Sequence, residues 1–370
     1  MRGFSWTPNR GRVTRGWGYG RGCGAARRSF PLPLAYQASS EVKVDAESRL
    51  QPVPPKEEIR VGISTCLLGR NVRFDGGHKH DPFLTATVGP FVTYVPVCPE
   101  VEVGMGTPRE SIRLERHGEA VRLVAPKSGT DHTEAMTSYA RRRVAALAGE
   151  DLSGYILKKD SPSCGMERVR VYGATGMAER KGRGLFAEEL LRAYPLLPVE
   201  EEGRLNDPRL RDNFFVRVFA YRRLKALFSG RWTVGKLVAF HTAEKLLLLA
   251  HDPKGYSQLG RLVAGAKGRP REEVSRDYAR TFMASLARLA TTKKNVNVLQ
   301  HMAGYFRETL SPAERRELHG VIEDYAAGLV PLVVPLTLFR HYVRLHDVAY
   351  LRGQTYLEPS PKELMLRNHV

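Results

Sequence analysis

The sequence predicts an α/β fold: a three-layer domain built around a parallel sheet, followed by an all-α domain. Three observations carry this expectation. Between about residues 58 and 205, short apolar runs rich in β-branched residues alternate with segments of helical period, the pattern of repeated βαβ units. Three of those runs end at a cysteine that opens a loop: Cys66, Cys98 and Cys164. From about residue 206 onward the strand signals stop and helical periods follow one another to near the end of the chain.

The elements justify themselves in order. Residues 1–57 are rich in Gly, Arg and Pro, show neither helical nor strand period, and are expected to be a disordered leader. Ile59 to Ile63 reads as a buried strand that runs into Ser64-Thr65-Cys66. Phe91 to Val97 reads as a second strand, ending at Cys98-Pro99-Glu100. Asp131 to Leu147 carries an apolar stripe at helical spacing, with Thr130 or Asp131 as N-cap. Tyr155-Ile156-Leu157 is a short strand leading through Lys158-Lys159-Asp160 into Ser161-Pro162-Ser163-Cys164-Gly165. Leu185 to Tyr194 reads as a helix, and Leu196 to Val199 as the last strand.

Beyond, helices are expected over 212–228, 234–250, 272–289, 294–306, 312–328 and 332–344, with an extended finish after Leu357. Asp207-Pro208 and Ser311-Pro312 look like helix starts, because proline suits the first turn. No fixed period repeats, which argues against a solenoid. The expected organisation is therefore a leader at 1–57, an α/β domain at 58–205 and a helical domain at 206–370.

Composition narrows the function classes. Four cysteines are too few for a disulfide scaffold in 370 residues, and no secretory hydrophobic region precedes them, so a reducing cytoplasm with free thiols is expected. No apolar run is long enough to cross a bilayer. The formal net charge of +19 favours phosphate-bearing partners and permits RNA contact without identifying either. The first forty residues contribute to that excess, since they hold no acid.

Strand ends in a parallel sheet share one edge, so the three thiols can converge there. No Cys-x-x-Cys pair is present, which argues against a zinc knuckle or a redox dithiol. Two readings remain: unlinked core cysteines, or a cluster on three thiolates that leaves one iron open. Spacing alone does not choose between them.

The motif blocks add to this. Ser64-Thr65-Cys66-Leu67-Leu68-Gly69, Arg73-Phe74-Asp75-Gly76-Gly77-His78, Pro96-Val97-Cys98-Pro99-Glu100, Thr107-Pro108-Arg109 and Leu157 to Gly165 together resemble the thiouracil desulfidase (TudS-type) family over about residues 59–202. Val238-Ala239-Phe240-His241-Thr242 through Lys245, and Asn297 to Phe306, resemble the YbgA-like helical domain that often accompanies it. The resemblance implies a [4Fe-4S] cluster on Cys66, Cys98 and Cys164. It also implies sulfur removal, without net redox, from a thiolated uracil, either thiouracil or 4-thiouridine monophosphate.

For the acid–base work such a reaction needs, Glu100 and Ser161 rank first and Asp75 next. Glu100 follows a ligand by two residues, and Ser161 precedes one by three. Lys159 and Arg109 are cationic donors beside motif loops, suited to a uracil oxygen or a phosphate. Ser163 lies in the same loop, and Gly76 and Gly77 let backbone approach a ligand closely. Each has a plainer reading: a solvated loop acid for Glu100, a local backbone bond for Ser161, an Asx-turn for Asp75 and surface cations for Lys159 and Arg109. In the helical domain Met302, Tyr305 and Phe306 are expected in the core. The competing function is an RNA- or nucleotide-binding protein whose cysteines hold a structural metal.

Overall fold

The computed structural model describes residues 58–370; Cys23 and the expected leader lie outside the described residues. Strand β1 (Arg60–Ser64) is followed by a π-helical turn at Phe83–Val88 and by β2 (Thr93–Val97), which leads into the one-turn helix α1 (Pro99–Glu102). A hairpin of β3 (Arg113–His117) and β4 (Ala120–Val124) precedes α2 (Thr133–Ala146) and β5 (Leu152–Leu157). A second hairpin, β6 (Val169–Tyr172) and β7 (Ala178–Gly182), comes before α3 (Leu185–Ala193) and β8 (Val199–Glu201).

Strands β1, β2, β5 and β8 form a parallel sheet in the order β2-β1-β5-β8. The chain steps outward from β1 to β2 and then crosses back to β5, so the strand order reverses around β1. Side-chain alternation divides the sheet into two buried faces. Val95, Val97, Tyr155 and Leu157 pack under α2 and α3, against Met136, Tyr139, Phe186 and Leu190. Val61, Ile63 and Ile156 face the other way, against Leu84 and Val88 of the π-helical turn and Phe214, Phe215 and Val218 of the next helix. Gly62 is glycine because the Tyr155 ring lies across it: a Cβ there would sit 2.2 Å from a ring carbon.

That next helix is α4 (Pro208–Phe228), the first of the helical region. It completes the three-layer arrangement by covering the second face of the sheet. After it come α5 (Val234–His251), α6 (Pro253–Ala264), α7 (Arg271–Leu286), α8 (Thr292–Ala303), α9 (Pro312–Ala326), α10 (Val333–Leu345) and the short α11 (Ala349–Arg352). They close over a second apolar core that includes Leu247, Tyr278, Phe282, Met302, Phe306 and Phe339. Asp207 caps α4 through its carboxylate, and Ser311 with Glu314 makes a reciprocal capping box on α9. No helix among the described residues is long and apolar enough to cross a membrane.

Several expectations change. The two hairpins form a second sheet, ordered β4-β3-β6-β7, that the strand signals did not announce. These strands alternate apolar with charged residues, such as Val169-Arg170-Val171, and only one face is buried. Gly118, at a φ of 61°, makes the tight turn between β3 and β4. Helix α6 was also unread, because Pro253, Gly255 and Gly260 weaken its pattern. Gly255 permits a close approach to α7, where a Cβ would fall 2.0 Å from Ser285 Oγ. The last strand lies at Val199–Glu201 rather than at 196–199. The tail is not extended: it coils through two short 3-10 turns that bury Leu364 and Leu366 against the α4 face. Tyr305 is 40 % exposed, unlike its neighbours Met302 and Phe306, which are fully buried.

Candidate active site

Three adjacent strands end beside one another, and each delivers a cysteine. Cys66 lies in a 3-10 turn directly after β1, Cys98 caps α1 directly after β2, and Cys164 ends the loop after β5. All three thiols are free and line one cavity of about 380 Å³ at the carboxyl edge of the sheet. The cavity opens where the strand order reverses, the place at which open α/β sheets bind ligands. Its volume is in the range of small-molecule sites.

Burial governs the thiols. It pushes Cys66 up to about 11, with the Lys158 ammonium pulling the other way. Cys164 is raised further by burial and by the Glu100 carboxylate, against the neighbouring Ser64 and Ser163 hydroxyls. Cys98 is raised by burial, and the backbone N–H groups of Val101 and Glu100 partly offset this. Burial therefore favours the protonated form of all three thiols, and a bound cation would offset that preference.

Glu100 is tied at both oxygens. Its Oε1 accepts from Ser163 Oγ at 2.6 Å and from Ser161 Oγ at 3.4 Å, while Oε2 pairs with Arg109. Arg109 also donates to the carbonyls of Val72 at 3.0 Å and Gly106 at 2.9 Å. With its guanidinium so engaged, Arg109 holds Glu100 in place. Ser161 Oγ accepts the backbone N–H groups of Ser163 at 3.3 Å and Cys164 at 3.1 Å. It thus makes the local backbone bond and faces Glu100 as well.

The structure brings together most of the residues singled out in the sequence. Cys66, Cys98, Cys164, Glu100, Arg109, Lys159, Ser161 and Ser163 all line the cavity. Asp75, Gly76 and Gly77 do not. Asp75 Oδ1 accepts the Gly77 N–H at 3.0 Å, closing an Asx-turn, and this bond with the nearby Arg73 holds the carboxyl below its usual range. Gly76 takes a φ of 76°, so the glycine pair serves the turn rather than a ligand.

Other lining residues stand in the same motif blocks or, for Lys79, directly after one. Lys158 pairs with Glu202 and also donates to Lys159 O at 3.0 Å. Ser64 Oγ accepts the Lys158 N–H at 3.0 Å, tying the end of β1 to the end of β5. Arg73, Phe74 and Lys79 add two cations and an aromatic ring that is 41 % exposed. Their signal was present in Arg73-Phe74, but exposure at a cavity mouth is a tertiary property.

Comparison with known proteins gives two family matches. The family model described as 2-thiouracil desulfurase matches residues 61–202, and the one described as a protein of unknown function (DUF1722) matches residues 245–361. The uncharacterized protein YbgA of Escherichia coli (strain K12) is 33% identical over 165 residues, 44% of this chain and 98% of its own length. The uncharacterized protein YbbK of Bacillus subtilis (strain 168) is 32% identical over 151 residues, 39% of this chain and 97% of its own. Among solved structures, a [4Fe-4S]-dependent thiouracil desulfidase, TudS, is 31% identical, covering 40% of this chain and 95% of that one at a TM-score of 0.33. With cysteines at three neighbouring strand ends and motif blocks spanning the matched residues, the chain belongs to the 2-thiouracil desulfurase family, extended by a helical DUF1722 region like YbgA.

Proposed function

We propose that this protein is a desulfidase that hydrolyses the C=S bond of a thiolated uracil, as free base or as 4-thiouridine monophosphate, at a [4Fe-4S] cluster. The observation that carries this reading is the convergence of three free thiols and a doubly tethered carboxylate on one cavity. The donor set suits such a group. Among the described residues no three His, Cys, Asp or Glu side chains stand close enough to bind one metal ion. Ligands of a single tetrahedral zinc would hold their sulfurs about 4 Å apart. Thiolates of a cluster each bind a different iron and stand farther apart than that.

Cys66, Cys98 and Cys164 would hold the cluster. When bound, it would supply a Lewis-acidic iron free of protein ligands, with affinity for the thiocarbonyl sulfur. The chemistry balances without electron transfer: water replaces sulfur at the ring carbon, and the sulfur departs with two protons as hydrogen sulfide. Glu100 takes a proton from the attacking water, and Arg109 holds that carboxylate oriented. Ser161 orients the water or relays the proton between Glu100 and the leaving sulfur. Ser163, fully buried, fixes the Glu100 rotamer. Lys159, whose ammonium pairs with no acid among the described residues, provides a cation for a ring oxygen or a phosphate.

In this reading residues 1–57 are a leader, 58–205 the desulfidase domain and 206–370 the helical domain, in a cytoplasmic protein. Anaerobic reconstitution followed by sulfide assay with 2-thiouracil and 4-thiouridine monophosphate tests the activity. The reconstituted protein should bind iron and release sulfide, and Cys98→Ala should abolish both. Full turnover by Cys98→Ala would exclude the cluster mechanism. Salt-sensitive RNA binding with no sulfide release would favour the binding-protein alternative.

A further inference from the structure

The loop that delivers Ser161, Ser163 and Cys164 to the cavity runs from Lys158 to Met166 without regular structure. Two glutamates end the edge strand β8 behind it, and a third, Glu202, follows directly. Two of them, Glu200 and Glu201, are at most 6 % exposed, although burying an acid is unfavourable unless its oxygens are partnered. Each carboxylate reaches the loop or its flank. Glu202 Oε2 accepts the Lys159 N–H at 2.7 Å, and its Oε1 pairs with the Lys158 ammonium. Glu201 Oε1 accepts the Met166 N–H at 2.7 Å. Glu200 Oε1 accepts from Arg204 Nε at 2.6 Å, and Arg204 Nη1 donates to Glu167 at 2.7 Å. The loop is also held by α3, whose Phe186 N–H donates to Ser163 O at 3.0 Å.

We propose that Glu201 and Glu202 are positioning residues of the desulfidase site: their carboxylates clamp the two flanks of the loop that carries Ser161, Ser163 and Cys164. The catalytic part of this inference rests on the function proposed above; the clamp itself does not. Neither glutamate lines the cavity, so both act through the loop. Glu202 has a second effect, because it pairs with Lys158, which lines the cavity.

The test uses the full chain with Glu202→Ala and Glu202→Gln. Glutamine keeps an acceptor for the Lys159 N–H and loses the charge that pairs with Lys158. Amide hydrogen exchange over residues 158–166 should quicken about tenfold in Glu202→Ala, the equivalent of one hydrogen bond, and less in Glu202→Gln. Exchange in β1 and β2 should stay as in the wild type. After anaerobic reconstitution, Glu202→Ala should retain less iron through desalting and show a lower kcat with a smaller change in KM, and Glu202→Gln should recover part of both. Unchanged exchange over 158–166 overturns the clamp. Faster exchange with wild-type iron retention and kcat reduces it to a structural contact and overturns the positioning role. If Glu202→Ala fails to fold, the same readouts on Glu202→Gln decide. If the wild type itself binds no iron and releases no sulfide, the function proposed above falls, and the exchange difference alone still judges the clamp.

Discussion

Glu100 sits between two serines and an arginine, and each contact limits what its carboxylate can do. Arg109 keeps it aimed, so a single atom change tests its part in proton transfer. Glu100→Gln keeps the shape and removes the base: kcat for sulfide release should fall by about 10²–10⁴. Iron content should remain that of the wild type, because glutamine still accepts from Ser163. A loss of iron together with activity would instead assign Glu100 to holding the loop. The residue types were readable from the sequence, since every member of this group stands in a motif block. The mutual contacts were not. Glu100 and Ser163 are separated by sixty-two intervening residues, yet their side chains meet at 2.6 Å. Asp75 shows the opposite outcome: beside two glycines it looked equally suited, and the local Asx-turn claims it.

At the level of elements, helix α4 matters most, because it belongs to the helical region in sequence and to the sheet in packing. Phe214, Phe215 and Val218 cover Val61, Ile63 and Ile156. Gly154 of β5 allows the approach: a Cβ there would stand 2.7 Å from Val218 Cγ2. Gly154→Ala should therefore push α4 from the sheet and destabilise the protein by about 1–3 kcal/mol, read from urea unfolding. A loss below about 0.5 kcal/mol would mean that Val218 moves aside without strain. The sequence marked where α4 ends and showed the proline at its start, but helical period does not say which layer a helix joins. Helix α6 was missed for a related reason. Its glycines lower intrinsic helicity, and only the contact with Ser285 of α7 explains why a larger residue is absent.

Across the whole molecule, the sheet and the helical region form one compact unit over the described residues. Two buried histidines link that unit to pH. Burial lowers His241 and His251 from 6.5 to about 4; His251 donates its Nδ1–H to Arg288 O at 2.7 Å. Above pH 6.5 both are neutral in the folded and unfolded chain, and their contribution to stability is complete. Between pH 6.5 and 4 the unfolded chain takes up protons that the folded chain refuses. Stability should then fall by about 1.4 kcal/mol per pH unit for each histidine, levelling off near pH 4. Unfolding midpoints measured from pH 7.5 to 4.5 check this, and His251→Gln should flatten the slope. An unchanged slope in that variant would place the pH response elsewhere.

Sequence by itself determined the class of the fold, the three thiols, the acid two residues after Cys98 and the kinship with thiouracil desulfurases. These follow from local pattern: apolar period specifies strand and helix, and ordered motif blocks survive without knowledge of packing. Tertiary structure alone decided that α4 roofs the sheet, that two charged hairpins make a second sheet, and that Glu201 and Glu202 grip the loop of Cys164. Those arrangements depend on which distant faces bury one another and on which buried charges find partners, and neither quantity is encoded within a window of neighbouring residues.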